Sequence, residues 1–384
     1  MSQPGSTGLR VEEVTNKSQL NQFIEVPWHV YKDDPGWTPP LKFERRGLLD
    51  KRKNPYFEHA EAAYFVAYHH GQPVGRISAQ IDELAQEHHG PGTGHFGSIE
   101  SIDDPAIFEA LFDAAGTWLK DRGMTRVLGP FTLSINEETG LLVDGFEHAP
   151  RILMSHAKPY YESRIKDLGF EQAQEMWAYD LDITKEFPAN VQKILNKARA
   201  QEKLTLRRIK KKNFTEELHT IIGIFNDAWS DNWGFIPMTE KEIDKMGADL
   251  KPFVREEGCM IADWEGEPTA FMLTIPDVNQ AAADLNGNIF PFGWAKLLPR
   301  LILGSPTQCR VPLMGVRKEH QSGLAGASMA MLLIETIRAT CVRDVGYKRA
   351  ELSWILESNP SMHKILQLIG CVHYKTYRVY EKTL

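Results

Sequence analysis

Short apolar runs along the chain fall into strand and helix signals that occur twice, in the same order. The segments FVAYHHGQPVGRISAQID (65–82) and MIADWEGEPTAFMLTIPD (260–277) align without a gap. Ala67 falls over Ala262, Gly71 over Gly266, Pro73 over Pro268 and Asp82 over Asp277. Each reads as a strand, a glycine-containing hairpin turn and a second strand. The same offset lays LRVEEVTNKSQLNQFI (9–24) over LTLRRIKKKNFTEELHTII (204–222), a short strand followed by an amphipathic helix with an Asn or Ser cap. Two long helical patterns ending in glycine and a strand (106–131 and 327–355) follow, and then two shorter ones (160–181 and 361–382). Each half therefore predicts β, α, β-hairpin, β, α, β, α, β, the order of a duplicated α/β (α+β) domain. The boundaries predicted from this pattern are 1–183, a connecting helix over 184–203, and 204–384. Half two carries an insertion before its third-strand loop, and half one carries one near its C-terminal helix.

Composition narrows the classes. With 384 residues, 42% hydrophobic and 25% charged, the chain is long enough for two cores. A formal net charge of −7 argues against a nucleic-acid partner, and Lys210, Lys211 and Lys212 read as a solvated face. Cys259, Cys309, Cys341 and Cys371 are scattered with no CxxC, so neither a disulfide frame nor a metal site is expected, and a reducing, cytoplasmic compartment is. The N-terminal MSQPGSTGLRVEEV has no apolar core of a signal peptide, and no membrane span is expected.

The chemistry concentrates in MGVRKEHQSGLAGASMAMLL (314–333), where an apolar strand end passes through a small-residue loop into a helix. Such a loop aims unpaired amides and the positive end of the helix dipole at one point, which suits a phosphate; a plain strand-to-helix turn is the alternative. The element order and this loop resemble the GNAT superfamily of N-acyltransferases over nearly the whole chain, as a tandem pair of GNAT-like domains, each a mixed, mostly antiparallel twisted sheet flanked by helices. The resemblance is narrower still to a tandem GNAT-like bacterial family of undefined function, through FNDAWSDNWGFIP, FPFGWAKLL and NEETGLLVDGF. It implies acetyl-CoA or a longer acyl-CoA as co-substrate, held by Met314, Val316, Gln321, Ser322, Gly323, Leu324, Ala325, Gly326, Ala327 and Asn359. Two departures from the family pattern stand out. The glycine after Gln321 comes one residue early, and Leu366 occupies the position of the tyrosine that usually protonates the departing thiolate. Half one has Asp103, Asp104 and Pro105 at the corresponding helix start, which would repel a pyrophosphate, so it is expected to be a degenerate copy.

For the proton of the attacking amine, Glu351 and Glu357 flank the strand LSWIL, with Asn359 beside the second. His320, His363, Tyr374, Tyr377 and Tyr380 are further polar candidates whose ordinary reading is surface or packing. Trp229, Asn232, Trp233, Asn279 and Trp294, with Phe235, Asp277 and Phe292, would either wall an acceptor pocket or pin a long loop to the core. In half one Asn136, Glu137 and Glu138 make a polar loop. The expected function is transfer of an acyl group from acyl-CoA to a small-molecule amine or amino acid by direct attack. A Fem-like aminoacyl-tRNA-dependent transferase and a non-catalytic CoA- or lipid-sensing module are the alternatives.

Overall fold

Helix starts obey local chemistry. Asn16 accepts from the Gln19 amide at 3.0 Å to open the helix Lys17–Val30. Asp104 followed by Pro105 opens Pro105–Lys120, and Asn359 followed by Pro360 opens Pro360–Leu368. The structure, a computed structural model, describes residues 8–303 and 306–384, so the first half of the N-terminal segment read for a signal peptide lies outside the described residues. Its strands are β1 (Leu9–Glu13), β2 (Ala60–His69), β3 (Gln72–Asp82), β4 (Thr93–Ser101), β5 (Arg126–Gly129), β6 (Leu141–Asp144), β7 (Glu171–Asp182), β8 (Leu204–Arg208), β9 (Cys259–Trp264), β10 (Glu267–Pro276), β11 (Gln308–Val316), β12 (Arg349–Leu356) and β13 (Val372–Thr383).

The chain forms two units. In the first, β1, β2, β3, β4 and β5 lie side by side, with β13 next to β5. In the second, β8, β9, β10, β11 and β12 lie side by side, with β7 next to β12. Pairing is antiparallel except between β4 and β5 and between β11 and β12, so each unit repeats one mixed sheet with one parallel step. The hairpins expected over 65–82 and 260–277 are β2–β3 and β9–β10.

A cut at residue 183 does not follow these units. The part of β7 from Met176 to Asp182 pairs with β12 in the second unit, whereas Lys375–Leu384 belong to the first, where β13 pairs with β5 and β6. Each unit thus takes its sixth strand from the other half of the sequence. Alternation of side chains predicts that a strand exists but not which edge it joins, because pairing partners far apart in sequence leave no local mark.

The helix Leu324–Thr340 is the axis of the second core. Met329, Leu333 and Ile337 are fully buried against Val311 and Leu352 of the sheet, and Val191 and Leu195 of the helix Ala189–Arg199 join the same cluster. By length and composition alone Leu324–Val345 could cross a membrane, but 67% of its apolar window is buried inside this core.

In the first unit the side of β4 beyond its parallel pairing is filled by the chain itself. The Phe131 carbonyl lies where a side chain on Gly97 would begin, and Gln80 donates to Phe131 O and Leu133 O. Asp104 already occupies the amide end of the following helix by accepting from Ala106 N. Nearby, Glu100 is partly buried and accepts from Tyr31 (2.5 Å) and Tyr161 (2.8 Å), with Arg76 at 3.7 Å. Burial outweighs these partners and pushes its carboxyl up to about 7. A carboxyl raised in the folded state contributes stability at low pH that is lost as pH rises from the ordinary carboxylate range through about 7. Glu100→Gln should therefore flatten the decline of the urea midpoint between acid and neutral pH, and an unchanged pH profile would contradict the assignment.

Candidate active site

The second unit opens where two strands part. β11 and β12 pair in parallel from Gln308↔Arg349 to Val311↔Leu352 and then separate, although β11 runs on to Val316 and β12 to Leu356. Local sequence provides the cause. Val311 and Pro312 together oppose the single residue Thr274 of β10, a bulge at a proline that has no N–H to donate. Across the opening, Ser353 and Trp354 of β12 oppose the single residue Ala178 of β7. Both strands that flank the opening thus bulge at its inner end.

Beyond the opening lies the loop between Val316 and Leu324. Gly323 has φ +146°, a conformation open to glycine, and a side chain there would meet nothing within 4 Å. A Cβ on Gly326 would collide with the His320 carbonyl, so the loop folds back onto the helix start at a distance only glycine allows. No side chain caps Leu324–Thr340 at Gly323, and Leu324 is exposed, so the first-turn amides face outward with the dipole of a 17-residue helix behind them. These features fit the diphosphate of a CoA-type ligand: Gly323, Leu324, Ala325 and Gly326 would hold it through main-chain N–H groups, whereas the Ala327 N–H donates to the Gly323 carbonyl at 3.3 Å within the helix.

Three hydrogen bonds tie this loop and the end of β11 to the end of the helix Phe214–Trp229. The Lys318 amide donates to Asp227 Oδ2 (2.8 Å), Gln321 Nε2 to Ala228 O (3.0 Å), and Trp229 Nε1 to Met314 O (3.0 Å). Gln321 Nε2 also donates to Val316 O at 2.9 Å, so its side chain holds the loop in shape rather than projecting from it. This brings Met314, Val316, Gln321 and Trp229 together. Asn232 closes the turn after Trp229 through its backbone, and Trp233 is half-buried there. Asn279 is half-buried in the helix Val278–Ala282. Trp294 stands 52% exposed on the helix Gly293–Ile302, with its indole N–H held by Pro291 O, and is not gathered with the others.

The polar candidates divide sharply. Glu351 is fully buried beside the paired stretch of β11, where it accepts from Ser353 Oγ (2.6 Å) and from Tyr374 OH, with Arg310 Nε at 3.6 Å. Arg310 also donates to Ser353 Oγ and Ser353 O and lies over the Trp354 ring. A carboxylate so placed balances a buried guanidinium. Glu357 is exposed at the C-terminal end of β12, and Asn359 spends its side-chain oxygen on Met362 N as a helix cap. His363 is buried: its Nε2 faces Leu356 O at 3.0 Å and so carries the proton, leaving Nδ1 to accept from Tyr179 OH at 2.9 Å. Burial, with the Cys371 sulfur next in effect, raises the Tyr179 phenol above its ordinary pKa. His320 lies against Trp264 and Glu319. Tyr377 and Tyr380 are fully buried in the first unit, where they pack. Leu366 is fully buried in the second core, so the position that carries a tyrosine in the GNAT pattern does not reach a cleft at all.

With this geometry in view, relatives give it a context. The chain is 45% identical over 377 residues to Protein YghO of Escherichia coli, covering 97% of this chain and 95% of that one. It is 42% identical over 377 residues to the bacterial ceramide synthase of Caulobacter vibrioides, covering 98% of each. The chain belongs to the family of these two proteins. Its fold is that of tandem GNAT proteins: a tandem GNAT protein from the clavulanic acid biosynthesis pathway superposes with a TM-score of 0.59 at 12% identity, covering 98% of both chains. A GCN5-related N-acetyltransferase from Sphaerobacter thermophilus superposes at 0.51 and 10% identity, covering 98% of this chain and 96% of that one. No family model matches the chain. The protein is an acyltransferase of this fold.

Sequence reasoning missed the Arg310 network and the Tyr179–His363 pair. An arginine inside the apolar strand QCRVPLMGV was the available signal for the first, since such a charge is buried only with a partner. Arg310→Met should leave Glu351 buried without its cation and cost about 3–5 kcal/mol in urea unfolding. Leu366→Tyr, which writes the usual tyrosine into the chain, should overpack the core and cost about 1–3 kcal/mol while gaining no activity; a stable, faster variant would contradict the placement of this residue.

Proposed function

We propose that the protein is an acyl-CoA-dependent N-acyltransferase whose acceptor is the amine of a long-chain amino alcohol, with the reaction centre in the second unit. The observation that carries this reading is the coincidence, in that unit, of parting parallel strands with an uncapped, small-residue helix start, a coincidence missing from the corresponding place in the first unit. The relation to a bacterial ceramide synthase supports the acceptor class, since a ceramide is the amide of a long-chain amino alcohol and a fatty acid.

In this reading the first-turn amides of Leu324–Thr340 hold the CoA diphosphate, and Val316 and Met314 line the acyl-bearing arm. A strand residue's N–H and C=O point to one edge, so the Met314 N–H shares the edge of the carbonyl that Trp229 engages and is placed to receive the thioester oxygen as charge develops on it. The amine attacks the carbonyl directly, so no covalent enzyme intermediate is needed. Glu357, exposed at the end of β12, receives the amine proton through solvent, whereas Glu351 is committed to Arg310. A thiol of pKa about 8.5 departs as thiolate without a dedicated acid, consistent with Leu366 in the core. Four free, buried cysteines suit a reducing cytoplasm. A second reading, a CoA-binding sensor without catalysis, draws on Leu366 alone.

Ala325→Asp tests the donor site. A carboxylate in the first helical turn favours the helix dipole yet repels a diphosphate, so the variant should keep its thermal midpoint and lose the shift given by CoA, acetyl-CoA or palmitoyl-CoA. For the unaltered protein that shift corresponds to about 2.7 kcal/mol at 100 times the Kd. Free-thiol release with palmitoyl-CoA should require a long-chain amino alcohol and not a free amino acid. Absence of any CoA-dependent shift would sink both readings, and a shift without thiol release would leave the sensor.

A further inference from the structure

Six of the eleven large hydrophobic side chains that stand exposed among the described residues fall between 290 and 303: Phe290 (71%), Phe292 (76%), Trp294, Leu298, Ile302 and Leu303 (81%). Trp294, Leu298 and Ile302 are spaced by four, so they share one face of the helix Gly293–Ile302. Leu297 and Leu301, three residues on from Trp294 and Leu298, adjoin that face and are buried. The buried edge explains why the helix stays attached; it does not explain why the apolar face runs on into solvent through Trp294, Leu298 and Ile302, and an exposed apolar stripe of this length marks a surface that something covers.

Charge distinguishes what covers it. The helix itself carries Lys296 and Arg300 and no acidic residue. Lys296 and Arg300 share Asp284, at 3.9 and 2.5 Å, and lie together on the face of the helix turned away from the stripe. At the C-terminal end of the helix, Arg255 Nη2 donates to Leu301 O (2.7 Å) and Ile302 O (3.1 Å) and adds a third cation. An aromatic and aliphatic face backed by a basic one is the composition of a helix that lies in the boundary between headgroups and acyl chains, and anionic headgroups favour such cations.

We propose that residues 290–303 dock the enzyme on an anionic phospholipid bilayer, with the stripe of Trp294, Leu298 and Ile302 entering the acyl boundary and Lys296, Arg300 and Arg255 facing the headgroups. The element lies in the same unit as the parting strands and is joined to β11 by a short connection, so docking brings that unit to the surface from which long-chain substrates come. Its purpose rests on the acyl-transfer reading above; its binding does not, and is measured without CoA or amine.

The test is flotation of the full chain with vesicles of phosphatidylcholine alone and of phosphatidylcholine mixed with phosphatidylglycerol. The unaltered protein should float with the mixed vesicles and less with the neutral ones. Leu298→Glu combined with Ile302→Glu should reduce the floated fraction by about tenfold while keeping the thermal midpoint and the CoA-induced shift. Lipids brominated on their acyl chains should quench tryptophan fluorescence in the unaltered protein and less in Trp294→Phe. Failure of the unaltered protein to float with either vesicle, or flotation of the double variant equal to it, would overturn the proposal. So would a dimer that the double variant converts to monomer with no vesicle binding by either form. Loss of the CoA shift with flotation intact would count against the acyl-transfer reading and leave the docking element standing.

Discussion

The separation of two parallel strands after Val311 and Leu352 is the constraint on which the second unit turns. A parallel pair is held by one set of slanted hydrogen bonds, and it ends where a strand cannot offer its next donor in register. Pro312 removes an N–H and the bulge at Val311–Pro312 turns β11, while a bulge at Ser353–Trp354 turns β12 at the same level. Backbone groups of both strands are then left facing a gap instead of each other. Buried backbone groups demand partners, so a gap of this kind is either filled by the chain or kept for a ligand.

The two units answer that demand differently with the same topology. In the first, Phe131 and the segment that follows it occupy the side of β4, which has glycine at 97 because a carbonyl sits where a Cβ would be. Asp104 satisfies the amide end of the next helix, and a partly buried carboxyl, Glu100, is held among Tyr31, Tyr161 and Arg76. In the second, the equivalent loop is small-residue and uncapped, and its shape is kept by Asp227, the Ala228 carbonyl and Trp229 from the end of one helix. Duplication thus supplied two frameworks, of which one closed on itself and one kept an open helix end.

The buried polar groups of the second unit are arranged to hold this framework rigid. Arg310, Glu351, Ser353 and Tyr374 cross three strands next to the point where they part, and Tyr179 with His363 locks β7 to the helix Pro360–Leu368. Satisfied networks of this kind define one packing of a sheet, whereas an unpaired member would cost the desolvation of a charge. They stand just inside the opening, where Glu351, an acid–base candidate in the sequence, is held by Ser353, Tyr374 and Arg310.

Local chemistry made much of this legible in the sequence: the hairpins at 65–82 and 260–277, the capped helices after Asn16, Asp104 and Asn359, the repeat itself, and the uncapped glycine and alanine loop at 321–327 all follow from spacing and side-chain type. Tertiary structure decided what depends on partners far along the chain. It gave each unit its last strand from the other half, committed Glu351 to Arg310, put Leu366 in the core, and left Trp294 outside. The physical reason is the range of the interactions: turns and caps are settled within a few residues, whereas strand edges, ion pairs and the covered face of a helix are settled by whatever the fold brings beside them.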